Sequence, residues 1–210
     1  HAAMSWMLPI TLKRFNAVDW KKLEAHVSEQ DESLASAVTA LSTQREVLRN
    51  TTERTESILS QYYKYFAQVT SIDQRVPVSE QEVRVSFTWY DVYKERKVSQ
   101  YSLAFEKANV LWNIMAVHSH LGAAEKRTTE DSIKVAAKNF QTATGVLGMV
   151  KKELEAHPAA AANLDMTLDN LSFLVNVMMA QSQECYYDLA MKGGKMPPDA
   201  IAKLAWQVGA

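Results

Sequence analysis

Four side chains in the second half of the sequence could in principle carry chemistry: His118, His120, Glu125 and Cys185. Imidazole and carboxylate groups are metal ligands and general bases, and a thiol can be a nucleophile. On a helix, however, His118 and His120 diverge by about 200 degrees, so one metal ion cannot bind both. Glu125 lies near the face of His118, but no third ligand follows. We therefore predict no metal site, with His118 packed between helices and His120 on the surface.

Nucleophilic catalysis is equally poorly supported by the sequence. It contains neither a G-x-S-x-G motif nor a phosphate-binding loop. Cys185 is the only cysteine, which excludes an internal disulfide and a cysteine-based zinc site. Its helical neighbours are Gln181, Ser182 and Leu189, and a buried thiol in such surroundings normally acts as a small hydrophobic residue. We predict no catalytic residues and no cofactor.

The composition excludes several further classes of protein. Lys and Arg number 23 against 24 Asp and Glu, giving a net charge of −1, so the basic surface of a nucleic-acid-binding protein is not expected. No apolar run reaches the roughly 20 residues that cross a bilayer. Only 6 Gly and 5 Pro interrupt the chain, which favours long helices over a turn-rich β fold. We predict a mostly helical cytoplasmic protein with peripheral membrane association at most.

Apolar spacing predicts the elements that would position these side chains. Two apolar stripes between residues 104 and 126 indicate a helix covered on more than one side, as at the centre of a bundle. Helical spacing also predicts a helix from about 129 to 156, another from 165 to 192 and a last one from 200 to 208. Shorter helices are predicted before residue 75.

Three segments instead alternate apolar and polar residues, which is typical of half-buried strands. They lie near residues 8–14, 82–89 and 97–104. Pro9 would keep the first of them near an edge. We predict that all three form one small antiparallel sheet attached to the helices.

The end of the sequence gives the clearest indication of a binding surface. Ile201, Leu204 and Val208 share one face of the last predicted helix, and Tyr186 and Tyr187 stand near the end of the preceding one. Such an apolar face needs more protein, a second copy or a partner helix to cover it.

Six blocks of the sequence resemble the BRO domain (Bro-one type) that Alix, the His-domain tyrosine phosphatase and rhophilin share. The blocks occur in the family's order and are YYKYFAQVTSID (62–73), RVPVSEQEVRVSFTWYD (75–91), YSLAFEKANVLWNIMAVHSHLGAAEKR (101–127), IKVAAKNFQTATGVL (133–147), MMAQSQECYYDLA (178–190) and DAIAKLAWQ (199–207). Residues 1–3 are interpreted as a cloning remnant. Residues 4–210 are interpreted as the N-terminal portion of a single BRO-type domain, with the rest of the family domain absent.

The resemblance implies a curved body of helical hairpins, similar to TPR repeats, with a small antiparallel sheet. It also implies a non-catalytic adaptor of the ESCRT and multivesicular-body pathway that is recruited to endosomes. The family binds the C-terminal amphipathic helix of an ESCRT-III subunit.

By matching position, the resemblance places five residues in the peptide-binding site. Glu130 and Lys134 would make polar contacts, Tyr186 an aromatic contact, and Ile201 and Leu204 would be apolar anchors. The alternative is a self-assembling scaffold, a homodimer in which the exposed C-terminal helix pairs with another copy.

Overall fold

The computed structural model describes residues 7–29, 31–194 and 196–208, so residues 1–3, interpreted above as a cloning remnant, lie outside the described part. Seven α-helices and two β-strands form within the described ranges. They are α1 (Lys21–Ser28), α2 (Glu32–Arg49), α3 (Glu56–Asp73), β1 (Phe87–Tyr90), β2 (Lys97–Gln100), α4 (Leu103–Ala124), α5 (Glu130–Ala156), α6 (Leu168–Gly193) and α7 (Pro198–Val208). Each helix packs against the next one along the chain. The predicted mostly helical fold is confirmed.

The ends of the long helices follow from their capping residues. Thr129 precedes α5, where its hydroxyl accepts the Ser132 backbone N–H at 3.2 Å while the Ser132 hydroxyl accepts the Thr129 N–H at 3.1 Å. This reciprocal pair satisfies two N–H groups that the first turn would leave free. At the C-terminal end of α6, the capping residue Gly194 adopts φ 59°, the left-handed conformation that glycine tolerates best.

Helix α4 forms the centre of the molecule. Of its 22 residues, 18 are buried, which explains the two apolar stripes of its sequence. Helix α3 packs on one side and α5 on another, and α6 then covers α5. Burial on every side leaves α4 no solvent-facing stripe, so the functional surface must come from the helices around it.

A buried ion pair joins α4 to the elements that surround it. Glu106 accepts from the Arg45 guanidinium at 2.8 Å, from the Tyr65 hydroxyl at 2.8 Å and from the Trp89 indole N–H at 2.6 Å. Arg45 also donates to the carbonyl of Asn16. Because every partner of Glu106 is buried, these bonds offset the cost of burying the ion pair, and they connect α2, α3, α4 and β1.

The sheet is smaller than the sequence predicted. β1 and β2 pair antiparallel, with Phe87 opposite Gln100 and Tyr90 opposite Lys97. The prediction of a third strand near 8–14 is wrong, since residues 8–14 form no strand and the only isolated bridge in the described part joins Phe15, just after them, to Trp89. Segments 82–89 and 97–104 are strands only over the ranges of β1 and β2.

Side chains of the helices explain why the first segment forms no strand. The backbone N–H of Leu8 donates to the Gln181 side chain, that of Ile10 to Ser119 at 2.7 Å, and that of Lys13 to Asn113 at 2.7 Å. These bonds use the N–H groups that a neighbouring strand would have needed. The alternating pattern therefore arises from an extended segment, defined here as the N-terminal strap (residues 7–16), that lies across α4 and α6.

Candidate functional site

An apolar groove lies between the C-terminal half of α6 and helix α7. It encloses about 630 Å³, and we refer to it as the α6–α7 groove. Its lining residues are Gln183, Tyr186, Leu189, Ala190, Gly193, Met196 and Leu204. Apolar atoms dominate this lining, as expected of a surface that receives aliphatic side chains.

The α4–α5 connection holds the C-terminal half of α6 in place. The Arg127 guanidinium is 3.2 Å from a carboxylate oxygen of Glu184 and 3.0 Å from one of Asp188, one turn apart on α6. The Lys192 ammonium donates to the carbonyl oxygen of Arg127 at 2.7 Å. Since the Arg127 side chain is nearly buried, these bonds fix the position of the α6 wall of the groove.

Tyr186 stands where this groove meets a second one. The smaller cavity, the α5–α6 groove, encloses about 260 Å³ and is lined by Gln141, Thr144, Met179, Ser182, Gln183 and Tyr186. The Gln141 amide donates to the Tyr186 hydroxyl oxygen at 2.7 Å. Tyr186 is 39% exposed, so its ring is available at the surface while its hydroxyl group is held by α5.

The structure brings two of the five predicted site residues together. Tyr186 and Leu204 line the α6–α7 groove, whereas Ile201 lies half-buried on α7 outside its lining. Glu130 and Lys134 stand exposed in the first turns of α5, with 3.8 Å between the Lys134 ammonium and a Glu130 carboxylate oxygen. An exposed pair of this kind contributes at most about 0.5 kcal/mol to the helix. Both charges are therefore exposed to solvent and only weakly paired, and neither residue lines the α6–α7 groove.

Sequence reasoning missed most of the residues that line the α6–α7 groove. Gln183, Ala190, Gly193 and Met196 were not named as site residues, and Leu189 was considered only as a neighbour of Cys185. The spacing of Leu189 and Gly193, three and seven residues after Tyr186, was the available signal, since both positions share a helix face with it. The contribution of Met196 had no signal, because it depends on where the chain turns from α6 to α7.

His118 has a structural role, as the sequence predicted. Its Nδ1–H donates to the Asn139 side-chain oxygen at 2.8 Å, and its Nε2 accepts from the Tyr63 hydroxyl at 2.9 Å. The Asn139 amide nitrogen donates to the Val135 carbonyl, which fixes the orientation of the amide and thus the tautomer. Burial lowers the pKa of His118, so the ring is neutral at pH 7. His120 is half-buried rather than on the surface.

Cys185 is buried in α6, as predicted. Burial raises the pKa of its thiol to about 11, which keeps the sulfur protonated at neutral pH. No group of three His, Cys, Asp or Glu side chains in the described ranges is arranged to hold a metal ion. None of the described helices is both long and apolar enough to cross a lipid bilayer.

Comparison with known proteins relates this geometry to a family. The BRO1-like domain profile matches residues 7–210. The chain is 35% identical to ALG-2 interacting protein X of Dictyostelium discoideum over 208 residues, and 33% identical to the vacuolar protein-sorting protein BRO1 of Gibberella zeae over 212 residues. These matches cover 96% and 99% of this chain but only 26% and 21% of the relatives.

A solved structure described as an ALIX BRO1 CHMP4C complex superposes with a TM-score of 0.88 at 28% sequence identity. The match covers 96% of this chain and 61% of that one. The family profile, the curated relatives and the fold agree over nearly the whole described chain. The chain belongs to the BRO1-like domain family.

Proposed function

We propose that this chain is a non-catalytic protein-interaction module of the ESCRT and multivesicular-body pathway. In this proposal the α6–α7 groove binds the C-terminal amphipathic helix of an ESCRT-III subunit. One observation carries the proposal: Tyr186, Leu189 and Leu204 form a single apolar groove in a domain whose fold matches the BRO1 domain of a complex with CHMP4C.

The chemistry of the groove suits an amphipathic helix. Aliphatic side chains of the guest would be buried against Tyr186, Leu189 and Leu204, each gaining roughly 1.5–3 kcal/mol. Three such anchors contribute roughly 4.5–9 kcal/mol before the cost of association, so micromolar affinity also requires polar contacts with the guest. Glu130 and Lys134 would bind polar groups of the guest and fix its register, while Ile201 would support the α7 wall.

The same proposal covers catalysis and location. The protonated thiol of Cys185 and the fully hydrogen-bonded ring of His118 argue for a binding role rather than a catalytic one. A cytoplasmic module that captures an ESCRT-III tail would accumulate on endosomes. A fluorescent fusion of the chain should then show endosomal puncta that Leu204→Asp disperses.

Isothermal titration calorimetry with a peptide of the CHMP4C C-terminal helix tests the proposal. Wild type should bind with micromolar affinity, and Leu204→Asp should abolish binding because it places a charge in the apolar groove. Ala205→Asp, exposed on the same helix and outside the lining, is the matched control and should bind normally. No binding by a wild-type chain with native circular dichroism and cooperative unfolding would overturn the proposal.

A second candidate, self-assembly through α7, is favoured by the exposure of Trp206. This side chain is 75% exposed and lies outside the groove lining. A homodimer that buries Trp206 would appear in light scattering at twice the mass, and Trp206→Ala would return it to a monomer. A monomer at all concentrations would exclude this candidate without affecting peptide binding.

A further inference from the structure

One face of α6 carries a continuous seam of small and apolar residues. They recur at alternating spacings of four and three: Leu168, Ser172, Val175, Met179, Ser182, Tyr186, Leu189 and Gly193. This average spacing of 3.5 is the pattern by which two helices pack along their length. The α6–α7 groove uses only the last three positions of the seam. Upstream of it, Met179 is 55% exposed and Leu168 is 48% exposed.

The α5–α6 groove is continuous with the α6–α7 groove. Both are lined by Tyr186 and Gln183, and the α5–α6 groove extends along the seam to Met179, one heptad before Tyr186. A helix seated on Tyr186 and aligned with α6 would therefore reach Met179 if it were two turns longer.

Helix α5 carries two glycines on the face that begins at Gln141, which lines the α5–α6 groove. Gln141, Gly145, Gly148 and Lys152 repeat at spacings of four, three and four, so they share one face of α5. A Cβ atom built on Gly145 or Gly148 would meet nothing within 4 Å. The missing side chains leave room for the backbone of a guest helix to approach closely.

Two lysines mark the far end of this surface. The Lys151 ammonium donates to the hydroxyl of Ser172 at 3.1 Å, which places it at the seam, and Lys152 is exposed beside it. Among the described residues neither lysine has a carboxylate within ion-pair distance, whereas Arg127 near the other end of α6 has two. Ser172 lies two heptads before Tyr186, which is about 21 Å along α6.

We infer that the docking surface continues from the α6–α7 groove along α5 and α6 to Lys152, and that its occupant is a longer amphipathic helix. The occupant carries an acidic residue two heptads from the anchor that contacts Tyr186. This inference rests on the proposed function. It adds a requirement for the length of the guest helix and for an acidic residue in it, which the α6–α7 groove alone does not impose.

The probes are CHMP4C C-terminal helix peptides of two lengths. The short peptide is the one described above, and the long peptides add two heptads with apolar residues at seam spacing and one terminal Glu. One long peptide carries the extension at its N-terminus and the other at its C-terminus, because the structure sets no direction for the guest. One of them should bind about tenfold more tightly than the short peptide. A scrambled extension of the same composition should give no gain.

Variants of α6 separate the two parts of the surface. Met179→Asp should remove the gain from the extension and leave the affinity for the short peptide within twofold of wild type. Met191→Asp is the matched control, because Met191 is a similarly exposed methionine of α6 that lines neither groove. It should leave both affinities unchanged.

A charge exchange tests the acidic residue directly. Lys152→Glu should weaken binding of the long peptide about threefold. A long peptide with Lys in place of the terminal Glu should recover that loss when it binds the Lys152→Glu variant. Lys22→Glu, an exposed charge reversal on α1, should weaken neither peptide. If the short peptide binds and neither extension adds affinity, the continued surface is refuted while the proposed function stands. If no peptide binds, both are refuted.

Discussion

The Gln141 side chain on α5 donates its hydrogen bond to the hydroxyl oxygen of Tyr186 on α6, across the junction of the two grooves. The Tyr186 ring lines both cavities, and this bond connects its outer end to the neighbouring helix. The orientation of the ring thus depends on α5 as well as on its own rotamer.

This bond predicts a coupling between α5 and peptide affinity. Gln141→Leu and Tyr186→Phe should each weaken binding of the CHMP4C peptide by up to about fivefold, since each frees the ring, which the guest must then order at a cost of about 1 kcal/mol. The double variant should be no weaker than either single variant, and calorimetric titration of all four proteins gives the coupling energy. Fully additive losses would show that the bond does not position the ring.

The buried carboxylate of Glu106 should dominate the stability of the core. Glu106→Ala leaves Arg45 charged and unpaired in the interior, and we expect the free energy of unfolding to fall by about 3–5 kcal/mol. Urea denaturation measures the change. Glu46→Ala removes the exposed carboxylate that pairs with Arg49 on α2, and this control should cost less than about 1 kcal/mol. Equal losses in the two variants would contradict the role assigned to Glu106.

Gly122 should tolerate no side chain, unlike the glycines of α5. A Cβ atom at Gly122 would lie 2.9 Å from the Phe140 ring, which is fully buried and cannot move aside. Gly122→Ala should therefore destabilise the protein by about 1–3 kcal/mol. At Gly145, within α5, a Cβ atom would meet nothing within 4 Å. Gly145→Ala should therefore stabilise the protein by about 0.5–1 kcal/mol. Thermal unfolding of both variants should show melting temperatures shifted in opposite directions.

The neutral ring of His118 predicts a loss of stability in mild acid. Its folded pKa lies below the ordinary value of 6.5, so below that pH the unfolded chain binds a proton that the folded chain resists. The free energy of unfolding should fall as pH drops from 7.5 to 5, by no more than about 1.4 kcal/mol per pH unit for this group. Urea titrations at several pH values measure the slope.

A His118→Gln variant should reduce that slope. Part of it should remain, because burial also lowers the pKa of His120. An unchanged slope in His118→Gln would contradict the assignment.

The sequence predicted the central helices well because buried helix positions are occupied by apolar residues, whose spacing can be recognised in the sequence. The two stripes of α4 required cover on both sides, and the spans predicted from helical spacing, 129–156 and 165–192, end within three residues of α5 and α6. The strap was mistaken for a strand because an extended segment alternates its side chains whether its backbone bonds a strand or helix side chains. The two-residue period of apolar residues cannot tell whether the backbone bonds a neighbouring strand or the side chains of helices.

The candidate site was predictable only where it lies within one element. The family resemblance assigned Tyr186 on α6 to the site, and helical spacing placed Leu204 on the apolar face of α7. Their convergence in one groove depends on the turn at Gly194 and on the ion pairs of Arg127, which no local pattern encodes. That Tyr186 and Leu204 line the same groove is therefore a consequence of tertiary structure.

The strap also has a consequence for how the chain folds. Its backbone bonds reach side chains that lie 109 residues away at Ser119 and 173 residues away at Gln181. Contacts over such sequence distances form slowly, and these need α4 and α6 to be in place first. The strap precedes α4 and α6 in the chain but should consequently dock after both, and its docking would fix the positions of the two helices that carry the core and the groove wall.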